Sequence, residues 1–149
     1  MLPVLVLHGT IVRASNGGPP GFRAGVTEKE RQGRGLREAL LAVPDRRWQR
    51  VELAYLNHGV GGQVSSPSLP ERLAPLAAEG VRSVIAFSCE HLVDGGETVR
   101  LPNVLDASGV AAAHRIPCLN ATDALIDCLA GRVRAALSAP CCDPCPMGA

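Results

Sequence analysis

Apolar side chains fall into three short blocks along this chain, and each block gives way to a histidine in a polar or glycine-bearing stretch. Residues 2–7 carry Leu2, Val4, Leu5, Val6 and Leu7 and run into His8-Gly9-Thr10. Residues 48–57 alternate through Val51, Leu53 and Tyr55 and run into Asn57-His58-Gly59. Residues 81–87 open after Gly80, carry Val84, Ile85, Ala86 and Phe87, and close in Ser88-Cys89-Glu90-His91. Apolar runs of strand length bounded in this way predict buried parallel strands, with Phe87 in the core. A fourth, short strand is predicted at 114–117, on a sheet edge where Pro117 is tolerated.

Helical patterns lie between these strands. Thr27 as N-cap with Glu30 three residues on opens one, with Leu36, Leu40, Leu41 and Val43 as its inward stripe and Pro44 as its stop. Ser68 caps a second, with Pro70 near its start, Glu71 at N3, and Leu73, Leu76 and Ala77 inward to about Glu79. A third helical segment is placed within 97–113, and the stretch from Asn120 to Asp123 leads into a last amphipathic helix ending at Leu137. Residues 10–25, rich in Gly, Pro, Ser and Asn, have no periodicity and predict a long surface loop. The alternation of strand and helix implies an α/β fold with three layers, a four-stranded parallel sheet carrying helices on both faces. In such sheets ligands bind at the carboxyl ends of the strands, where His8, His58 and His91 are found.

Composition narrows the partners. The 149 residues suit one α/β domain over 1–138, followed by a cysteine-rich tail at 139–149. A formal net charge of +1 and an aromatic content of 3% supply neither a cationic face for phosphates nor rings for base stacking, so nucleic acid is not expected. No apolar run approaches the roughly 20 residues of a membrane span, and the first residues do not form a signal h-region. The expectation is a soluble, cytoplasmic protein. Neither a GxGxxG nor a GxxxxGK[ST] pattern is present to cradle a nucleotide phosphate.

Of six cysteines, three crowd into the tail as Cys141, Cys142 and Cys145, a clustering that points to metal or redox chemistry rather than to scattered disulfides. His8, at a strand end beside a glycine turn, is the first candidate for a general base or metal ligand. The acids near the end of the third block are Glu97, Asp94 and Glu90, taken in that order as candidate carboxylates. Tyr55 and Phe22 are the aromatic residues placed to meet a flat ligand, with His58 and His91 as further site lining; His114 is given no role.

Five stretches, taken in order, resemble the carboxyl-terminal half of ferrochelatase. Leu7-His8-Gly9 resembles the strand that ends in that family's catalytic histidine. Tyr55-Leu56-Asn57-His58-Gly59-Val60-Gly61 and Ser66-Pro67-Ser68-Leu69-Pro70-Glu71 resemble its Gln-Ser-Arg-x-Gly segment and the helix start after it. Phe87-Ser88-Cys89-Glu90-His91-Leu92 is similar to Phe-Val-Ser-Asp-His-x, and Arg115-Ile116-Pro117-Cys118-Leu119-Asn120 to Arg-x-Pro-x-Leu-Asn. The resemblance spans residues 4–137.

It implies insertion of ferrous iron, as substrate, into a porphyrin in haem biosynthesis. His8 and Glu97 would be the catalytic and metal-handling pair, and Tyr55, His58, His91 and Asp94 would line the tetrapyrrole site. Two alignments of the acid stay open. Counted without a gap from His91, Val93 stands at the family's first glutamate; a short insertion instead sets Glu97-Thr98-Val99 against Glu-Thr-Leu. The family's amino-terminal half has no counterpart here, which implies a homodimer, as in small sirohydrochlorin chelatases, or a complementary half-domain chain. A sirohydrochlorin cobalt or iron chelatase and a non-catalytic tetrapyrrole- or metal-binding half-domain are the alternatives. The tail resembles a trimmed version of the set that holds a [2Fe-2S] cluster in some ferrochelatases, with Cys118, Cys128 or Cys89 needed as the fourth ligand.

Overall fold

The computed structural model describes residues 1–20, 25–57 and 61–138. The chain divides into two compact units, Met1–Cys118 and Leu119–Ala149. Among the described residues the first holds all the strands: β1 (Leu2–His8), β2 (Ile11–Arg13), β3 (Glu52–Leu56), β4 (Gln63–Val64), β5 (Ser83–Ser88) and β6 (Ala112–Ile116). It also holds α1 (Val26–Ala42), α2 (Leu69–Ala78) and α3 (Leu101–Asp106), the last entered through a single 3-10 turn at Thr98–Arg100. The described part of the second unit contains α4 (Asp123–Ser138).

The apolar blocks assemble as expected into a four-stranded, wholly parallel sheet in the order β3-β1-β5-β6. Period-two alternation sends Val4 and Val6 of β1, Ala54 of β3, and Val84 and Ala86 of β5 to one face. There they form the core with Leu69, Leu73 and Leu76 of α2 and Leu101 and Leu105 of α3. On the opposite face α1 crosses β1 and β3 at Gly33, where an added Cβ would sit 2.8 Å from Leu7 Cδ1. Helices therefore cover both faces of the sheet. β6 is an edge strand, which is where Pro117 permits it.

α2 begins as its sequence dictates. Ser68 Oγ accepts from Glu71 N–H while the Glu71 carboxylate accepts from Ser68 N–H at 2.7 Å, a reciprocal capping box that holds the Glu71 carboxyl below its ordinary range. Gly80, with φ of 81°, ends the helix; its N–H and that of Val81 close onto Ala77 and Leu76 carbonyls, and the chain turns directly into β5.

Several expectations are corrected. α1 starts at Val26 with Gly25 in the left-handed region at its N-cap, so Thr27 lies inside the first turn and caps nothing. Its stripe is not buried: Leu36 and Val43 are exposed and only Gly33 is inaccessible, because the helix approaches the sheet through that glycine rather than through bulky residues. Phe87 is half-buried on the α1 face rather than in the main core. Residues 48–51 precede β3 instead of extending it. The stretch 10–25 is not all loop, because Ile11–Arg13 pairs antiparallel with Gln63–Val64. Ser65 fastens this ribbon, its Oγ lying 3.1 and 3.2 Å from Thr10 N and O. Among the described residues no helix is long and apolar enough to cross a membrane.

Candidate active site

β1 and β5 are neighbours, and their carboxyl ends bring together residues that are far apart in sequence. His8 is the last residue of β1. His91 follows β5 by three positions, and Ser88, the buried last residue of that strand, lies with Oγ 2.9 Å from His91 Nδ1. Glu97 enters from the turn that follows. Its Oε2 lies 3.1 Å from His91 Nε2 and 3.4 Å from His8 Nε2, and the two imidazole rings are 6.1 Å apart, centre to centre.

The loop that returns Glu97 to the strand ends is built by Thr98, which is fully buried. Its hydroxyl oxygen accepts from Gly95 N–H at 2.8 Å and donates to Gly95 C=O at 3.2 Å, closing the Gly95-Gly96 turn on itself. Asp94, in the same loop, pairs with Arg115 of β6 and accepts from Cys118 N–H at 3.4 Å, which ties the loop to the sheet edge. Val93 is 60% exposed and takes no part in this contact set. The side chains of His8, His91 and Glu97 remain 35%, 24% and 34% exposed, so a ligand can reach all three.

One carboxylate facing two imidazoles is a proton-handling arrangement. A neutral His91 with its proton on Nε2 donates to Glu97 and accepts the Ser88 hydroxyl proton at Nδ1, satisfying both ring nitrogens. The carboxylate can then stabilise positive charge on His8 when that imidazole takes up a proton. The same N and O donor types suit divalent iron or cobalt. Among the described residues no preformed set of three or more ligands surrounds an empty metal position.

No family model matches this chain, and no curated protein matches it.

The remaining candidates are placed as follows. Tyr55 is buried on β3 beside a small cavity of about 120 Å³ of mixed lining, to which Val12, Val26, Lys29, Glu30 and Ser65 contribute. Its phenol is pushed above its ordinary range, first by burial and then by the charges of Glu30 and Glu90. His58, Phe22 and the tail cysteines Cys141, Cys142 and Cys145 lie outside the described residues. An apolar groove of about 420 Å³, walled by Pro3, Leu5, Ile85, Phe87 and Ile116, opens on the α1 face. Among the described residues its lining carries no acid, histidine or thiol. Sequence reasoning placed Glu90 third among the acids and gave Lys29 and Ser88 no role; no pattern in the chain pairs a lysine in a helix with an acid 61 residues later.

The three described cysteines differ in their fitness as ligands. Burial pushes the Cys89 thiol up to about 12, so it is a poor thiolate donor to a cluster. Burial also raises Cys118, followed by the neighbouring Asp94, while Cys128 is exposed on α4. Of these three, iodoacetamide at pH 8 is expected to alkylate Cys128 first and to reach Cys89 only as the protein unfolds. Peptide mass mapping over time checks this, and equal rates at Cys89 and Cys128 would contradict the burial argument.

Proposed function

We propose that this chain is a tetrapyrrole chelatase that inserts ferrous iron into a porphyrin and works as a homodimer in the cytoplasm. The observation that carries the reading is the convergence of His8 and His91, from adjacent strand ends, on the single carboxylate of Glu97. Insertion releases the two pyrrole N–H protons of the macrocycle as the divalent ion enters, leaving a neutral metalloporphyrin and two protons. In this reading His8 accepts a pyrrole proton at Nε2, Glu97 stabilises the resulting imidazolium, and His91 with Ser88 holds Glu97 in place; the partly exposed His8 gives that proton to solvent and then takes the second in the same way. The incoming ion meets imidazole nitrogen and carboxylate oxygen, ligands suited to Fe²⁺ and Co²⁺ alike. The resemblance of five ordered stretches to ferrochelatase supports the same assignment.

A second reading is cobalt or iron insertion into sirohydrochlorin, for which the imidazole and carboxylate donors of His8, His91 and Glu97 serve equally. One anaerobic experiment separates the two. The purified chain is offered Fe²⁺ or Co²⁺ with protoporphyrin or with sirohydrochlorin, and the macrocycle absorbance is followed. Metal-dependent conversion of protoporphyrin supports the first reading and conversion of sirohydrochlorin alone the second. Tight tetrapyrrole binding with no insertion of either metal leaves a non-catalytic binding protein.

A further inference from the structure

We propose that Lys29 and Glu90 are positioning residues for His8, a role that rests on the reading of His8 as the proton acceptor. The β1–β5 ladder ends where Cys89 N–H donates to Val6 C=O at 2.9 Å. The last paired residues are Val6 and Ser88, so β5 offers His8 no further rung. Gly9 N–H turns the other way and donates to Leu56 C=O of β3 at 2.8 Å. The N–H and C=O of His8 therefore face the side on which the neighbouring strand has run out. On that side two side chains meet the hydrogen-bonding needs of this peptide.

A single ion pair takes both groups. The Glu90 carboxylate accepts from His8 N–H. Lys29 Nζ, reaching in from the first turns of α1, donates to His8 C=O at 3.0 Å. The ammonium also lies 3.2 Å from each Glu90 carboxylate oxygen, which closes a three-membered network with both side chains mostly buried, 20% and 16% exposed. The peptide groups on either side of the His8 Cα are thereby fixed from β5 and from α1, and the imidazole is held at its 3.4 Å approach to Glu97. The polarity is directional: the anion faces an N–H and the cation faces a carbonyl. An ordinary ion pair would work equally well with its charges exchanged, whereas this one would not.

The test uses the full chain labelled with ¹⁵N and the variants Lys29→Met, Glu90→Gln, Lys29→Arg and the exchanged pair Lys29→Glu with Glu90→Lys. In Lys29→Met and Glu90→Gln the His8 amide and imidazole resonances are expected to shift and broaden while those of Val4 and Val6 stay in place. With the metal and tetrapyrrole that the wild type turns over, kcat should fall by about 10- to 100-fold, the scale of a displaced catalytic group, with KM unchanged. Lys29→Arg should restore most of both signals, and the exchanged pair should restore neither. Unmoved His8 resonances in Lys29→Met and Glu90→Gln, or full recovery in the exchanged pair, would overturn the proposal. So would a change confined to KM. If the wild type inserts no metal, the chelatase reading fails and the resonances alone decide the positioning role. If Glu90→Gln does not fold, Lys29→Met and Lys29→Arg carry the comparison.

Discussion

Glu97→Gln is expected to lower metal insertion by about 10²- to 10⁴-fold, the usual worth of a positioned proton-transfer group, while leaving tetrapyrrole binding in place. The substitution keeps the side chain's length and removes its charge. Two imidazole nitrogens approach one oxygen of Glu97, at 3.1 and 3.4 Å. An amide oxygen in that place, with two lone pairs, can accept from both as the carboxylate does, so the substitution tests the charge rather than the contacts. No anion then remains to stabilise His8 once it has gained a proton. His8→Ala should cost a similar factor, because it removes the acceptor itself. The double variant should be little worse than the poorer single one, since groups that act as a unit are not additive. Stopped-flow absorbance under anaerobic conditions gives kcat, and fluorescence quenching of the free macrocycle gives binding. Independent, multiplying losses would mean that His8 and Glu97 serve separate steps. A Glu97→Gln variant at full rate would remove the carboxylate from the chemistry.

Much of this arrangement is legible in the chain before any coordinates. Unbroken apolar runs ending in polar residues locate the strand ends and hence His8 and His91, because both faces of these strands carry apolar side chains, even where Ile85 and Phe87 are only half-buried. The capping box at Ser68 and Glu71 marks the start of α2 to the residue for the same reason: both partners sit within one turn. What is not legible depends on distant contacts. The β2–β4 ribbon has strands of three and two residues inside glycine-rich stretches, too short for any period to register. The sequence pattern predicts an inward leucine stripe for α1, yet its contact with the sheet is made by Gly33, a residue that no hydrophobic pattern selects. Glu97 and Val93 compete in sequence because the count from His91 depends on the path of a loop. Thr98 decides that path by closing on Gly95, and it reads in the sequence as an ordinary surface threonine. Lys29 and Glu90 are invisible for a related reason, since their shared partner is the main chain of His8 rather than a side chain.

The glycine after the histidine supports the second large effect. Gly9→Ala is expected to destabilise the fold by about 1–3 kcal/mol, the usual cost of forcing a methyl group into packed space. At ~2–4 °C per kcal/mol for a chain of this size, the midpoint of thermal unfolding should fall by roughly 2–12 °C. The cause is collision rather than backbone conformation, because Gly9 is not among the glycines with positive φ. A Cβ built there would lie 1.8 Å from Asn57 Oδ1 and 3.0 Å from Leu56 O. Asn57 cannot simply swing aside without loss: its Nδ2 donates to Ser65 C=O at 2.8 Å, and that bond fastens the end of β3 to the ribbon held by Ser65 and Thr10. Oδ1, by contrast, is buried without a hydrogen-bond partner among the described residues, so removing it relieves a cost as well as a clash. Asn57→Gly should therefore be milder alone than Gly9→Ala. The double variant should recover most of the loss, short of full recovery because the main-chain oxygen of Leu56 still crowds the new methyl group. Differential scanning calorimetry on the four proteins of this cycle gives the coupling directly. A double variant no more stable than Gly9→Ala would show that the alanine harms the turn itself. In that case insertion activity should fall with it, because the same peptide carries the carbonyl of His8 that Lys29 holds.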